Sequence, residues 1–128
     1  NGQPIQIAKT ADLLRALLVT GFPYDVHDTR TNLAEFTNFI LNAQAVRRLG
    51  SAALDLCYVA CGRLDGYWEF NLNAWDVAAG VLIVEEAGGL AAWPDGSAFQ
   101  LQPKLSLVTA NPLLLPKMVE ILKKTGKE

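Results

Sequence analysis

Apolar positions along the chain fall into two patterns, short unbroken runs and stripes spaced three and four apart. Residues 13–19 form an apolar run closed by Thr20-Gly21-Phe22-Pro23, which predicts a buried strand running into a loop. The polar segment 28–31 can cap a helix that continues to about Ala43, with Leu33, Phe36, Phe39, Ile40 and Ala43 on one stripe. A second short strand is predicted over 45–49. Gly50-Ser51 then opens a helix whose apolar face carries Leu54, Cys57, Tyr58 and Cys61, and Gly62 is placed to close it. The aromatic segment 65–70 reads as a strand, and residues 71–73 as a polar loop. Trp75-Asp76 starts a helix with Val77, Val81, Val84 and Ala87 on its buried side, ended by Gly88-Gly89. Strands over 90–93 and 105–110 are joined through the turn Pro94-Asp95-Gly96. Asn111-Pro112 begins a last helix reaching Lys124, with Asn as N-cap and Pro at its first position.

Strands separated by helices of this length predict an α/β fold, a layered sandwich with a mainly parallel or mixed sheet flanked by helices. No linker or internal repeat divides the chain, so residues 1–128 are expected to form a single α/β domain. At the start, Asn1-Gly2 favours a two-residue hairpin turn, and residues 4–7 alternate in part like a strand. A hairpin needs a strand on both sides, so one expectation is a partner strand before residue 1. The other is an ordinary chain end that happens to read Asn-Gly.

Composition narrows the class. Hydrophobic residues make up 51% and charged residues 19% of the 128, enough apolar side chain to fold and too little charge for a disordered segment. Two cysteines exclude a disulfide scaffold. A net charge of −2 argues against a nucleic-acid partner or an anionic membrane surface. The apolar runs are broken by Arg15, Asp55, Glu85 and Glu86 well before the roughly 18–20 residues of a membrane span. With no basic start and no apolar core at the N-terminus, a cytoplasmic location is the expectation.

Familiar catalytic inventories are thin. The single histidine, His27, lies in a polar loop, where a solvated side chain is the ordinary role. Cys57 and Cys61 stack on one helix face at a spacing that suits packing better than a disulfide. No P-loop, dinucleotide fingerprint or nucleophile elbow occurs. Three places remain. Gly50-Ser51-Ala52-Ala53 at a helix start could offer backbone N–H groups to an anion or hydroxyl, or simply cap the helix. Glu69, near a strand end, could accept hydrogen bonds from substrate hydroxyls or be a solvated charge. Asp76, at a helix N-terminus, could hold Mg²⁺ through its carboxylate or serve the cap.

The run Trp75-Asp76-Val77-Ala78-Ala79-Gly80-Val81-Leu82-Ile83-Val84-Glu85-Glu86-Ala87-Gly88-Gly89 resembles the C-terminal signature of the inositol monophosphatase family. Leu18-Val19-Thr20-Gly21-Phe22-Pro23-Tyr24, Arg48-Leu49-Gly50-Ser51-Ala52-Ala53 and Asp65-Gly66-Tyr67-Trp68-Glu69 resemble its flanking segments in the same order. The resemblance implies a Mg²⁺-dependent, lithium-sensitive phosphatase acting on small phosphate monoesters such as inositol phosphates. It implies that Asp76 ligates the metal, that Glu69 binds substrate hydroxyls, and that the backbone of Gly50, Ser51 and Ala52 contacts the substrate. It also implies the C-terminal domain of that fold and a homodimer when complete.

The family's other metal carboxylates come from Gly-x-x-Glu and Asp-Pro-x-Asp-Gly-Thr segments, and neither occurs here. The expectation is a C-terminal half with no catalytic residue of its own, inactive unless joined by an N-terminal half. Two rival expectations are a non-catalytic sugar-phosphate-binding or subunit-association module, and a related sugar bisphosphate phosphatase.

Overall fold

In the computed structural model, which describes residues 1–126, the first apolar run divides in two. Leu13–Arg15 is a single 3-10 turn, and strand β1 occupies only Leu17–Thr20. Asp12 causes the division: its side chain accepts the Leu14 N–H at 3.1 Å and caps the turn. A one-turn helix α1 (Val26–Thr29) precedes α2 (Leu33–Asn42). The single helix predicted here is broken because Arg30 and Asn32 adopt left-handed backbone, φ 57° and 72°. Of its predicted stripe, Phe39 and Ala43 are buried, whereas Leu33 and Ile40 are exposed.

The remaining elements are β2 (Ala45–Arg47), α3 (Ala52–Ala60), β3 (Gly66–Asn73), α4 (Ala74–Glu86), β4 (Leu90–Ala92), β5 (Lys104–Ala110) and α5 (Leu115–Thr125). Residues 71–73 are not a loop. They continue β3 past an irregularity between Glu69 and Leu72, where Asn71 takes φ 58°. α5 begins later than its Pro predicted, because Asn111 first caps a turn: its Oδ1 accepts the N–H groups of Leu113 and Leu114 at 2.9 and 2.8 Å. Residues 4–7 form no strand. They cross an end of the sheet as a strap, where the Ile7 N–H donates to the Ala87 carbonyl at 3.1 Å. The Asn111 amide reaches the strap too, donating to the carbonyls of Ala8 and Thr10.

The five-stranded sheet has the order β2-β1-β3-β5-β4. β1 pairs in parallel with β2 and β3, and β5 runs antiparallel to β3 and β4, so the sheet is mixed. Both faces are covered, which is why β1 and β5 read as continuous apolar runs. Val19, Tyr67 and Leu107 pack with Leu56 and Val59 of α3 and Val77 and Val84 of α4. Their strand neighbours Leu18, Trp68 and Val108 pack on the other face with Phe39 of α2 and Met118 of α5. α3 and α4 approach closely at Gly80, where a Cβ would lie 2.6 Å from the Cβ of Leu56.

The buried face of α3 is not the one predicted. Asp55, Leu56, Val59 and Ala60 point inward, Leu54 is exposed, and Cys57 and Cys61 are half-buried free thiols. A carboxylate in the middle of the inward stripe hid it from a hydrophobic pattern.

Candidate functional site

Three parallel strands end on one edge of the sheet, and the chain leaves each of them there: β1 into the Gly21 loop, β2 into the start of α3, and β3 into the start of α4. In open α/β sheets such a carboxyl edge is where ligands bind. Two helix N-termini facing one edge add unpaired N–H groups and positive dipole ends.

Alternation along β3 puts Tyr67 and Glu69 on the face covered by α3 and α4 and sends Trp68 to the other. The Tyr67 hydroxyl donates to Glu69 Oε1 at 2.8 Å. Burial pushes the Glu69 carboxyl above its ordinary range; the Tyr67 hydrogen bond opposes this, the Asp76 charge adds to it, and the Arg48 guanidinium opposes it. The Tyr67 phenol is likewise held protonated, first by burial and then by the Glu69 charge.

Asp76 stands in the first turn of α4, with Asn73 as N-cap, and its Oδ2 accepts the Asn73 N–H at 3.1 Å. It closes the helix start from the third helical position rather than as the cap itself. Ser51 caps α3, its hydroxyl accepting the Leu54 N–H at 3.3 Å, so the structural role weighed for it is filled. Gly50 precedes it with φ 88°, and Ala52 is the first helical residue. Glu69, Asp76 and Arg48 thus share one electrostatic neighbourhood. The Gly50–Ala52 backbone follows β2 at the same sheet edge, and among the described residues no hydrogen bond joins it to Glu69. His27 is exposed in α1 and joins nothing there.

Asp55 is the residue the sequence did not reveal. It is 1% exposed, and its Oδ1 is buried without a hydrogen-bond partner among the described residues. Its pKa is pushed up to about 7 by burial and, after that, by the Glu69 charge. Because the folded state holds this proton more tightly than the unfolded chain, the penalty is absent below about pH 4. It grows as pH rises to about 7 and is constant above. Asp55→Asn, which keeps the shape without the charge, is therefore expected to stabilise the fold at pH 8 by up to about 4 kcal/mol, and by less than half of that at pH 5. Urea unfolding of both proteins at the two pH values checks this. A gain of equal size at both would remove the ionisation from the account.

A buried polar network supports the edge from the opposite face. Asn32 donates from Nδ2 to Thr20 Oγ1 at 2.9 Å and to the Gly21 carbonyl at 2.8 Å, and its Oδ1 accepts the Trp68 indole N–H at 2.6 Å. Thr20 Oγ1 donates in turn to the Trp68 carbonyl at 2.6 Å. Every member is satisfied, so the network fixes the end of β1 against β3 at Trp68.

Among the described residues no three His, Cys, Asp or Glu side chains lie close enough together to hold a metal ion. Asp76 offers one carboxylate, a donor suited to Mg²⁺ but insufficient as a protein cage. No helix of the described residues is long and apolar enough to cross a membrane.

The model of the Inositol monophosphatase family matches residues 1–127, and the chain belongs to that family. It is 52% identical over 110 residues to the inositol-1-monophosphatase of Synechocystis, covering 85% of this chain and 38% of that protein. It is 50% identical over 93 residues to the Nus factor SuhB of Pasteurella multocida, covering 70% and 34%. The solved inositol monophosphatase from Anabaena superposes with a TM-score of 0.91 at 42% identity, over 96% of this chain and 49% of that one. The α/β sandwich expected from the resemblance is the fold observed. The chain spans less than half the length of each of these proteins.

Proposed function

We propose that this chain is the substrate-recognising, metal-contributing half of a Mg²⁺-dependent phosphatase that hydrolyses inositol phosphate or a similar small phosphate monoester. One observation carries the reading: Glu69, a half-buried carboxylate oriented by Tyr67, stands in β3 one residue past the level at which β1 ends. A fixed acceptor beside the start of α4, on the sheet edge from which α3 also starts, suits a ligand that has hydroxyls on one side and phosphate charge on the other. In this reading Glu69 accepts hydrogen bonds from ring hydroxyls, and Gly50, Ser51 and Ala52 present backbone N–H groups to the substrate. Asp76 would hold the Mg²⁺, with its remaining ligands coming from water, the phosphate and residues outside this chain. When bound, the ion supplies positive charge to the phosphate oxygens. The dipole of α4 would favour the same anion.

A chimera tests this, with the chain fused behind the amino-terminal half of the Synechocystis enzyme. Glu69→Gln there is expected to weaken use of inositol phosphate by about ten- to a hundredfold, the roughly 1.5–3 kcal/mol of a hydrogen bond to a charged group. Hydrolysis of a phosphate ester without neighbouring hydroxyls should change little. Equal losses on both esters would place Glu69 in metal binding or in the framework, and not in recognition of hydroxyls.

A further inference from the structure

Glu69 does not lie free at the sheet edge; it is packed against the backbone of Gly21. A Cβ at Gly21 would sit 2.7 Å from Glu69 Cδ and 2.9 Å from Oε2, and nearer still to Oε1. The carboxylate therefore occupies the space that any other residue at position 21 would fill. Gly21 carries no left-handed φ, so its backbone would accept alanine without strain. The absent side chain serves the carboxylate and not the turn.

The Gly21 backbone has no freedom to retreat. Its carbonyl is held by the Asn32 amide, and the same amide binds Thr20, whose hydroxyl is bonded to the Trp68 carbonyl one residue before Glu69. Asn32 is 2% exposed, and its left-handed backbone aims this amide between the two strands. A methyl group added at position 21 would thus be relieved by movement of the flexible Glu69 side chain and not by the main chain. Tyr67 holds that side chain from the other direction through the 2.8 Å bond to Oε1.

We infer that Gly21, clamped by Asn32, is a specificity-determining residue that sets where the Glu69 carboxylate meets the hydroxyls of the substrate. The inference rests on the proposed role of Glu69 as hydroxyl acceptor and adds the residue that fixes its reach. A larger residue at position 21 re-aims the carboxylate without removing it, and so retunes which polyol is accepted.

The test is a double-mutant cycle in the same chimera, read with inositol phosphate and with the hydroxyl-free ester. Gly21→Ala is expected to raise KM for inositol phosphate about tenfold and to leave kcat on the hydroxyl-free ester within about twofold. In a Glu69→Gln background, Gly21→Ala should add nothing beyond about twofold, because the two changes remove one interaction. A KM unchanged by Gly21→Ala, or losses that multiply in the double variant, would overturn the inference. If Glu69→Gln is itself without effect, the proposed function fails instead. A second readout needs no turnover: the carboxyl ¹³C resonance of Glu69, assigned through Glu69→Gln, should shift in Gly21→Ala. An unshifted resonance counts against the inference even if the chimera releases no phosphate.

Discussion

Asp76→Asn in the chimera is expected to lower Mg²⁺-dependent phosphate release by a hundredfold or more while leaving unfolding within about 1 kcal/mol of the parent. The two effects separate because the proposed function gives Asp76 a second job beside its structural one. Its Oδ2 accepts the Asn73 N–H at the start of α4, and asparagine retains an oxygen for that bond. What is lost to the fold is the charge at a helix N-terminus, about 0.3–1 kcal/mol. What would be lost to the reaction, on the proposed role, is the carboxylate that would hold the ion, a contribution of several kcal/mol to the barrier. Initial rates at saturating Mg²⁺, alongside a urea titration, separate the two. Activity within a few-fold of the parent would leave Asp76 as a helix-starting residue only.

The second large effect is an absence: the chain on its own is expected to release no phosphate from inositol phosphate at any Mg²⁺ concentration. Among the described residues no group of three metal-ligating side chains forms. A single carboxylate leaves Mg²⁺ mostly hydrated and unplaced. Sustained turnover by the purified chain that depends on Mg²⁺ and vanishes in Asp76→Asn would refute this.

The legible parts of the fold were those where local pattern and tertiary packing agree. Ser51 capped α3 as its position suggested, and the inward Val77, Val81 and Val84 of α4 followed helical spacing. Strand direction was not legible, because a period of two is the same read either way; the pattern left the sheet as mainly parallel or mixed, and the antiparallel β5 makes it mixed. Arg15 did not stop the apolar run from reading as strand, and only the Asp12 cap shows why the strand starts at Leu17.

Of the site, Glu69 and Asp76 were visible mainly through the family motif, since a lone acid near a strand end or helix start has an ordinary structural use. Asp55 was invisible for the opposite reason: charged residues are rarely buried, so it marked the wrong face of α3 as exposed. Asn32 and Gly21 draw their roles from contacts with Trp68 and Glu69 across the sheet edge, at separations no local pattern spans. A polar residue followed by an apolar helical stripe, as at Asn32-Leu33, reads only as a helix start.

The most direct measurement mixes the separately made amino-terminal half of the Synechocystis enzyme with this chain and follows phosphate release from inositol phosphate. The account predicts no release by either alone, Mg²⁺-dependent release on mixing, and loss of that release with Asp76→Asn. A stable complex of the two that releases no phosphate, or release that survives Asp76→Asn unchanged, would contradict it.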